Sequence, residues 1–218
     1  MKKFVAPLLA LMGALLVVQA GATVVTSIPG GTVIPMPVLN YFGPGPQTFG
    51  TTNVVTWSSS NASNQGGSVF GYTGGYGYGS NGFWDGALGP MAGVNDSFIF
   101  YSASDTMVFS FATPVTAVGG FINYYPDGIT TPTIMAAYDA SWNLIESYNL
   151  SFSTGGGANT GFFYGFQETT PIKYFTLTDN YVGITNLTVG SVPEPGTLTL
   201  IGTGLLGAFG AVRRRMGK

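Results

Sequence analysis

Between positions 23 and 191, the residues able to do chemistry are eight acids, three tryptophans, a tyrosine-rich run and one lysine. The chain has no His and no Cys. Their absence removes Ser-His-Asp triads, His or Cys zinc sites, thiol nucleophiles and the commonest general base near neutral pH. The acids are Asp85, Asp96, Asp105, Asp127, Asp139, Glu146, Glu168 and Asp179. Several sit in turn-like stretches, where an Asp side chain bonds its own backbone. They form no EF-hand loop or RTX-type repeat, so no metal ligand set is assigned. Turn carboxylates and backbone carbonyls nevertheless leave Ca²⁺ open as a cofactor. A glycosidase needs two facing carboxylates. Sequence spacing pairs none of these, so no catalytic residue is assigned and the chain reads as a non-enzyme.

The aromatics offer a different chemistry, stacking on sugar rings. Trp142 falls in the polar stretch Asp139-Ala140-Ser141-Trp142-Asn143 between two strand-like runs, which places it at or beside a hairpin tip with few neighbours to cover it. Trp84, in Gly82-Phe83-Trp84-Asp85-Gly86, reads equally as a loop anchor or a sugar platform. Tyr76 lies in Gly71-Tyr72-Thr73-Gly74-Gly75-Tyr76-Gly77-Tyr78-Gly79. The surrounding segment, 58–82, is expected to be a long loop, because each glycine carries a backbone-entropy penalty and little there is apolar enough to nucleate a core. An aromatic loop that stacks on sugars and a self-associating patch are the alternatives. A phosphate site is not expected, since no helix follows the glycines and no Lys is near. Trp57, in a strand-like run, is expected in the core.

These groups must be positioned by strands. Ser97–Ser102, Thr106–Phe111, Ala117–Tyr124, Thr133–Tyr138, Leu144–Leu150, Gly161–Phe166, Lys173–Thr178 and Ile184–Val189 are rich in aromatic or β-branched residues and separated by turn residues. Met107, Phe109 and Phe111 alternate onto one face, as do Phe175 and Leu177. Residues 28–46 are punctuated by prolines and read as an edge strand or extended lead-in. No segment of 23–191 shows a long 3.6-residue apolar period. The expected fold is an all-β, antiparallel β-sandwich (jelly-roll-like).

Both ends differ from this middle. Met1-Lys2-Lys3 precedes the apolar run 4–18, and Ala20-Gly21-Ala22 fits a small-x-small cleavage site. Residues 1–22 therefore read as a signal peptide for the Sec translocon, with a mature start at Thr23. At the other end, Val192-Pro193-Glu194-Pro195 precedes an uncharged run at 196–212, then Arg213-Arg214-Arg215. That run is at the short end of what crosses a bilayer as a transmembrane helix. The arginines hold the end of the chain in the cytoplasm, and Lys2 and Lys3 hold the start there. Everything between is expected outside the inner membrane, as one domain at 23–191.

Six of the seven basic residues lie in these ends, which leaves Lys173 against eight acids, a net −7 over 23–191. Such a surface cannot neutralise phosphates, so nucleic acid is excluded as a partner and anionic lipid headgroups are disfavoured.

The tail resembles the PEP-CTERM sorting signal of Gram-negative bacteria through Val192-Pro193-Glu194-Pro195-Gly196-Thr197-Leu198, the Gly/Leu-rich span and Arg213 to Arg215. The resemblance implies recognition by a membrane exosortase, cleavage near Pro-Glu-Pro, and delivery to the cell surface or the exopolysaccharide matrix. A plain inner-membrane anchor is the alternative. Residues 95–190 also resemble a jelly-roll, carbohydrate-binding-like module. The carrying motifs are Phe111-Ala112-Thr113-Pro114-Val115 leading into Ala117-Val118-Gly119-Gly120-Phe121, then Ala137-Tyr138-Asp139, Pro171-Ile172-Lys173-Tyr174-Phe175 and Ile184-Thr185-Asn186-Leu187. Two departures stand out. Thr185-Asn186 occurs where the pattern often has acids, and Trp142 where the hairpin often has Gly. The expected function is an exported surface or matrix protein associating non-catalytically with exopolysaccharide. The alternatives are a structural or adhesive surface protein, an ice-binding protein and a matrix glycan hydrolase.

Overall fold

The computed structural model describes residues 23–61, 67–95, 105–126 and 132–190. The signal peptide at 1–22 with Ala20 and Ala22, the sorting tail at 192–218 with its span at 196–212, and the strand expected at Ser97–Ser102 all lie outside the described residues. No helix among the described residues is long and apolar enough to cross a membrane.

The strands, in chain order, are β1 (Thr23–Val25), β2 (Thr32–Val33), β3 (Tyr41–Phe42), β4 (Gln47–Phe49), β5 (Val55–Ser59), β6 (Ser68–Tyr72), β7 (Tyr76–Gly77), β8 (Phe83–Trp84), β9 (Met91–Asn95), β10 (Asp105–Tyr124), β11 (Thr133–Tyr138), β12 (Leu144–Leu150), β13 (Phe162–Asp179) and β14 (Tyr181–Gly190). One 3₁₀ turn, Gly79–Asn81, is the only helical element described. Every pairing between named strands is antiparallel.

Two long strands organise the molecule. The first half of β10 pairs with β5 on one side and the last part of β13 on the other, and β11 and β12 extend that layer. The second half of β10 pairs with the first part of β13 and with β14, and β9, β6 and β3 extend the other layer. The sequence pattern suggested separate short strands at Thr106–Phe111 and Ala117–Tyr124, and again at Gly161–Phe166 and Lys173–Thr178. In the structure each pair is one strand that bends from layer to layer, so the expectation of separate short strands at these places is corrected, while the antiparallel all-β architecture stands.

The bend has a local cause. Pro114 and Pro171 lie at its centre, where the β10–β13 register shifts between Ser110 and Val115 and again before Ala117. A proline donates no ladder hydrogen bond and is tolerated in a sheet at such an irregularity. The residues around both prolines are exposed. Carbonyls freed there need donors. Lys173 supplies them, with Nζ donating to Phe111 O at 2.5 Å and Ala112 O at 3.2 Å.

The two layers enclose one core, as in a β-sandwich. Met107, Phe109 and Phe111 are buried together with Phe175 and Leu177 of β13 and with Phe166, Ile184 and Val189 of the opposite layer. Trp57 is fully buried and stacks on Phe70 of the facing layer, with centroids 5.1 Å apart.

Candidate functional site

The β11–β12 hairpin carries Trp142 at its tip, as its flanking runs suggested. Asp139 builds the turn. Its Oδ1 accepts from Ser141 N at 2.8 Å and Asn143 N at 2.9 Å, and its Oδ2 accepts from Asn143 Nδ2 at 2.8 Å. These bonds hold the Asp139 carboxyl below its usual range. Trp142 N donates to Asp139 O, and Trp142 then takes φ +61°. A turn followed by a left-handed residue favours glycine at that place, and a bulky side chain there is strained. The indole is 51% exposed. One of its faces lies flat on Tyr174, with centroids 3.8 Å apart and planes 12° apart, and Tyr138 stands 5.5 Å away. The arrangement is an aromatic platform with one covered face, raised on a rigid turn.

The other two platform candidates are corrected. Trp84 is 2% exposed and Tyr76 7%. A side chain enclosed on both faces cannot stack on a sugar. Trp84 Nε1 donates to Thr160 O at 2.6 Å, and Tyr76 OH donates to Val94 O at 2.7 Å. With Val69, Tyr78 and Met91 they form a second buried cluster, against which Tyr72, Leu88 and Phe121 pack. Burial raises the phenols of Tyr76 and Tyr78 well above their usual range. The long loop expected at 58–82 is corrected with them, because β6, β7 and the 3₁₀ turn occupy much of it. Buried Asn81 anchors it. Its Nδ2 donates to Tyr124 O and its Oδ1 accepts from Thr154 N, while its main-chain oxygen accepts from Asn123, Thr154 and Thr160 side chains. Nothing in the local sequence marks Asn81, since the partners of its side chain and its main-chain oxygen lie 42 to 79 residues away.

A pair of carboxyls that sequence spacing did not join is also present. Glu146 of β12 and Glu168 of β13 lie within hydrogen-bonding reach of one another. Burial first, then the Glu146 carboxyl, raises Glu168 to about 7. Alternation could have signalled both. Glu146 is in phase with Tyr148 and Leu150, and Glu168 with Tyr164 and Phe166, on the faces that turn inward. Tyr148 and Tyr164 meet at 6.0 Å. Asp179 is buried as well, and burial raises it to about 6 even though Thr133 Oγ1 and the Asn180 amide donate to it.

Among the described residues, two of the larger clefts are open. One of about 300 Å³ lies beside the Pro114 bend, between Thr113, Thr116 and Gly190. Another of about 330 Å³ lies between Tyr125 and Tyr181. Neither has an acid or base in its described lining. No group of three or more acids is placed to hold a metal among the described residues.

The chain leaves the described structure after Gly190, at the end of β14 beside the first cleft. The family model for the PEP-CTERM protein-sorting motif matches residues 191–215, directly after that strand. This chain carries a PEP-CTERM sorting motif. The matched segment contains Val192, Pro193, Glu194, Pro195, Arg213, Arg214 and Arg215. The PEP-CTERM motif implies processing by an exosortase and sorting to the cell envelope or surface of a Gram-negative bacterium. No curated protein and no solved structure matches the chain. No match therefore supports the likeness of the middle region to a carbohydrate-binding module, and the structure shows an antiparallel β-rich domain compatible with a β-sandwich.

Proposed function

We propose that this is an exosortase-processed surface or matrix protein that associates non-catalytically with neutral exopolysaccharide through the Trp142–Tyr174 platform. The single observation that carries the reading is Trp142 itself. A bulky residue held in a strained conformation, half in water, stabilises neither the turn nor the core as well as glycine and a smaller side chain would. Backbone strain of this kind points towards a use for the side chain. The use that fits an exposed indole with a covered back face is stacking on the apolar face of a sugar ring. The acid-rich, nearly base-free region favours uncharged glycans over anionic ones.

Affinity electrophoresis of the full chain in detergent through gels containing dextran, mannan or a β-glucan tests this. Retardation by at least one polymer is expected for the parent protein and not for Trp142→Gly. Equal mobility of the two proteins in all of these gels would leave the platform without this role. Export and processing have a separate test. Intact mass of protein released from the cell surface should show loss of the Arg213–Lys218 end. Full-length chain confined to the inner membrane would support a plain anchor.

An adhesive role has one specific observation in its favour. Val38, Leu39 and Phe42 are 62%, 50% and 45% exposed beside the short strand β3. Concentration-dependent association that Leu39→Ser abolishes would favour that reading.

A further inference from the structure

We propose that Glu146 and Glu168 form a binding site for a hard divalent cation, Ca²⁺ or Mg²⁺, that ties the β11–β12 hairpin to the opposite layer. Two observations carry it. The first is convergence. Glu146 sits on β12, the outermost strand of one layer, and Glu168 sits on the first part of β13, before its bend and still in the other layer, yet their carboxyls are within hydrogen-bonding reach. The second is that each carboxyl keeps one buried oxygen that no protein group meets. Glu168 is 4% exposed and its Oε1 has no hydrogen-bond donor, and Glu146 Oε2 is likewise buried without one. Buried carboxylate oxygens without donors are heavily penalised.

Among the described residues no basic side chain meets that need. Lys173 is the one base between 23 and 190, and its Nζ is engaged by Phe111 O and Ala112 O at the β10 bend. A small cation with oxygen preference suits two carboxylates that approach this closely, with water completing its shell. Two carboxylates make a weak site, with dissociation constants of about 10⁻⁴–10⁻³ M, as in other extracellular calcium modules. The site is independent of the glycan reading. It binds on the hairpin's inner face, whereas Trp142 stands at its tip.

The test is isothermal titration of the full chain, stripped with EDTA and held in detergent at pH 7.5, with CaCl₂ and separately with MgCl₂. One equivalent of at least one cation should bind, and it should raise the melting temperature. Glu146→Gln and Glu168→Gln should each weaken binding at least tenfold, and the double variant should lose the cation-dependent rise. Gln is nearly isosteric and relieves the carboxylate repulsion, so both variants should fold. Trp142→Gly should bind the cation like the parent protein, which separates failure of this site from failure of the platform. No binding of either cation at 10 mM, or unchanged binding in both Gln variants, overturns the proposal.

Discussion

Trp84 and Trp142 occupy similar sequence settings and opposite structural ones. Each follows a turn-rich stretch, and each has an Asp within three residues. Trp84 ends fully enclosed, edge-on to Tyr78 at 5.0 Å and stacked on Phe121 at 6.1 Å. Trp142 ends half in solvent on a strained turn. Local chemistry does not separate them. The difference is what the rest of the chain brings. Trp84 is met by Thr160, 76 residues away, and by Phe121 of β10. The rings that meet Trp142 among the described residues, Tyr138 and Tyr174, belong to its own layer. A tryptophan over the middle of a layer becomes core, and one at a hairpin tip stays on the rim.

The largest expected effect falls on the enclosed member. Trp84→Ala should destabilise the fold by roughly 3–5 kcal/mol. In a domain of this size that lowers Tm by about 10 °C. Thermal unfolding followed by circular dichroism checks it. A change of under about 1 kcal/mol would mean that Trp84 is not enclosed and the comparison fails.

The acids repeat the contrast, with opposite signs at rim and core. Burial raises Glu168 from 4.5 to about 7 and Asp179 from 3.8 to about 6. The folded state therefore holds more protons than the unfolded chain between those limits, and stability falls as pH rises through them. The favourable contribution is complete only below the ordinary values and is lost above about 7. Asp85 and Asp139, exposed at the rim, are shifted downward by turn hydrogen bonds. Their contribution is present above the ordinary value and fades as the pH drops below it. With EDTA present, Tm should be highest near pH 4–5 and lower at pH 8. Glu168→Gln should flatten the decline between pH 5 and 8. A Tm that climbs from pH 5 to 8 in the parent protein would show that the buried acids are not destabilising when charged.

How much of this was legible differs between the two regions. The hairpin was readable because all its determinants are local. Thr133–Tyr138 and Leu144–Leu150 have strand composition, Asp139 and Asn143 carry turn chemistry, and the structure places strands over the same residues. The tail was readable because a hydrophobic run between Pro-Glu-Pro and three arginines is a linear signal. The Gly/Tyr segment was not readable. Its glycines resemble a loop, but Gly79 has φ +57° and lies under the ring of Tyr125, where a Cβ would overlap it. There glycine serves close packing, and the partner is 46 residues away. The long bent strands were obscured for a related reason. Pro114 and Pro171 look like strand ends, and only the pairing of the two bends keeps both strands continuous. The Glu146–Glu168 contact depends on that same crossing and could not be paired without it.

The smallest effect gives the sharpest test of the rim site, because three substitutions at Trp142 separate strain from stacking. Trp142→Ala keeps the left-handed φ but loses the stack on Tyr174. Loss of such an aromatic pair destabilises by about 0.5–1.5 kcal/mol. Trp142→Gly loses the stack and also relieves the strain, worth about 1 kcal/mol for a residue free to adopt positive φ. Its stability should stay within about 1 kcal/mol of the parent protein and above that of Trp142→Ala. Trp142→Phe keeps a ring on Tyr174 and should retain much of the glycan retardation that both small variants lose. The informative quantity is the difference between the Ala and Gly variants in urea unfolding. If Gly is no more stable than Ala, the turn is not strained, and Trp142 needs no functional reason to be there. If Gly is more stable while only the aromatic variants bind, the side chain is held at the tip against the preference of its own backbone.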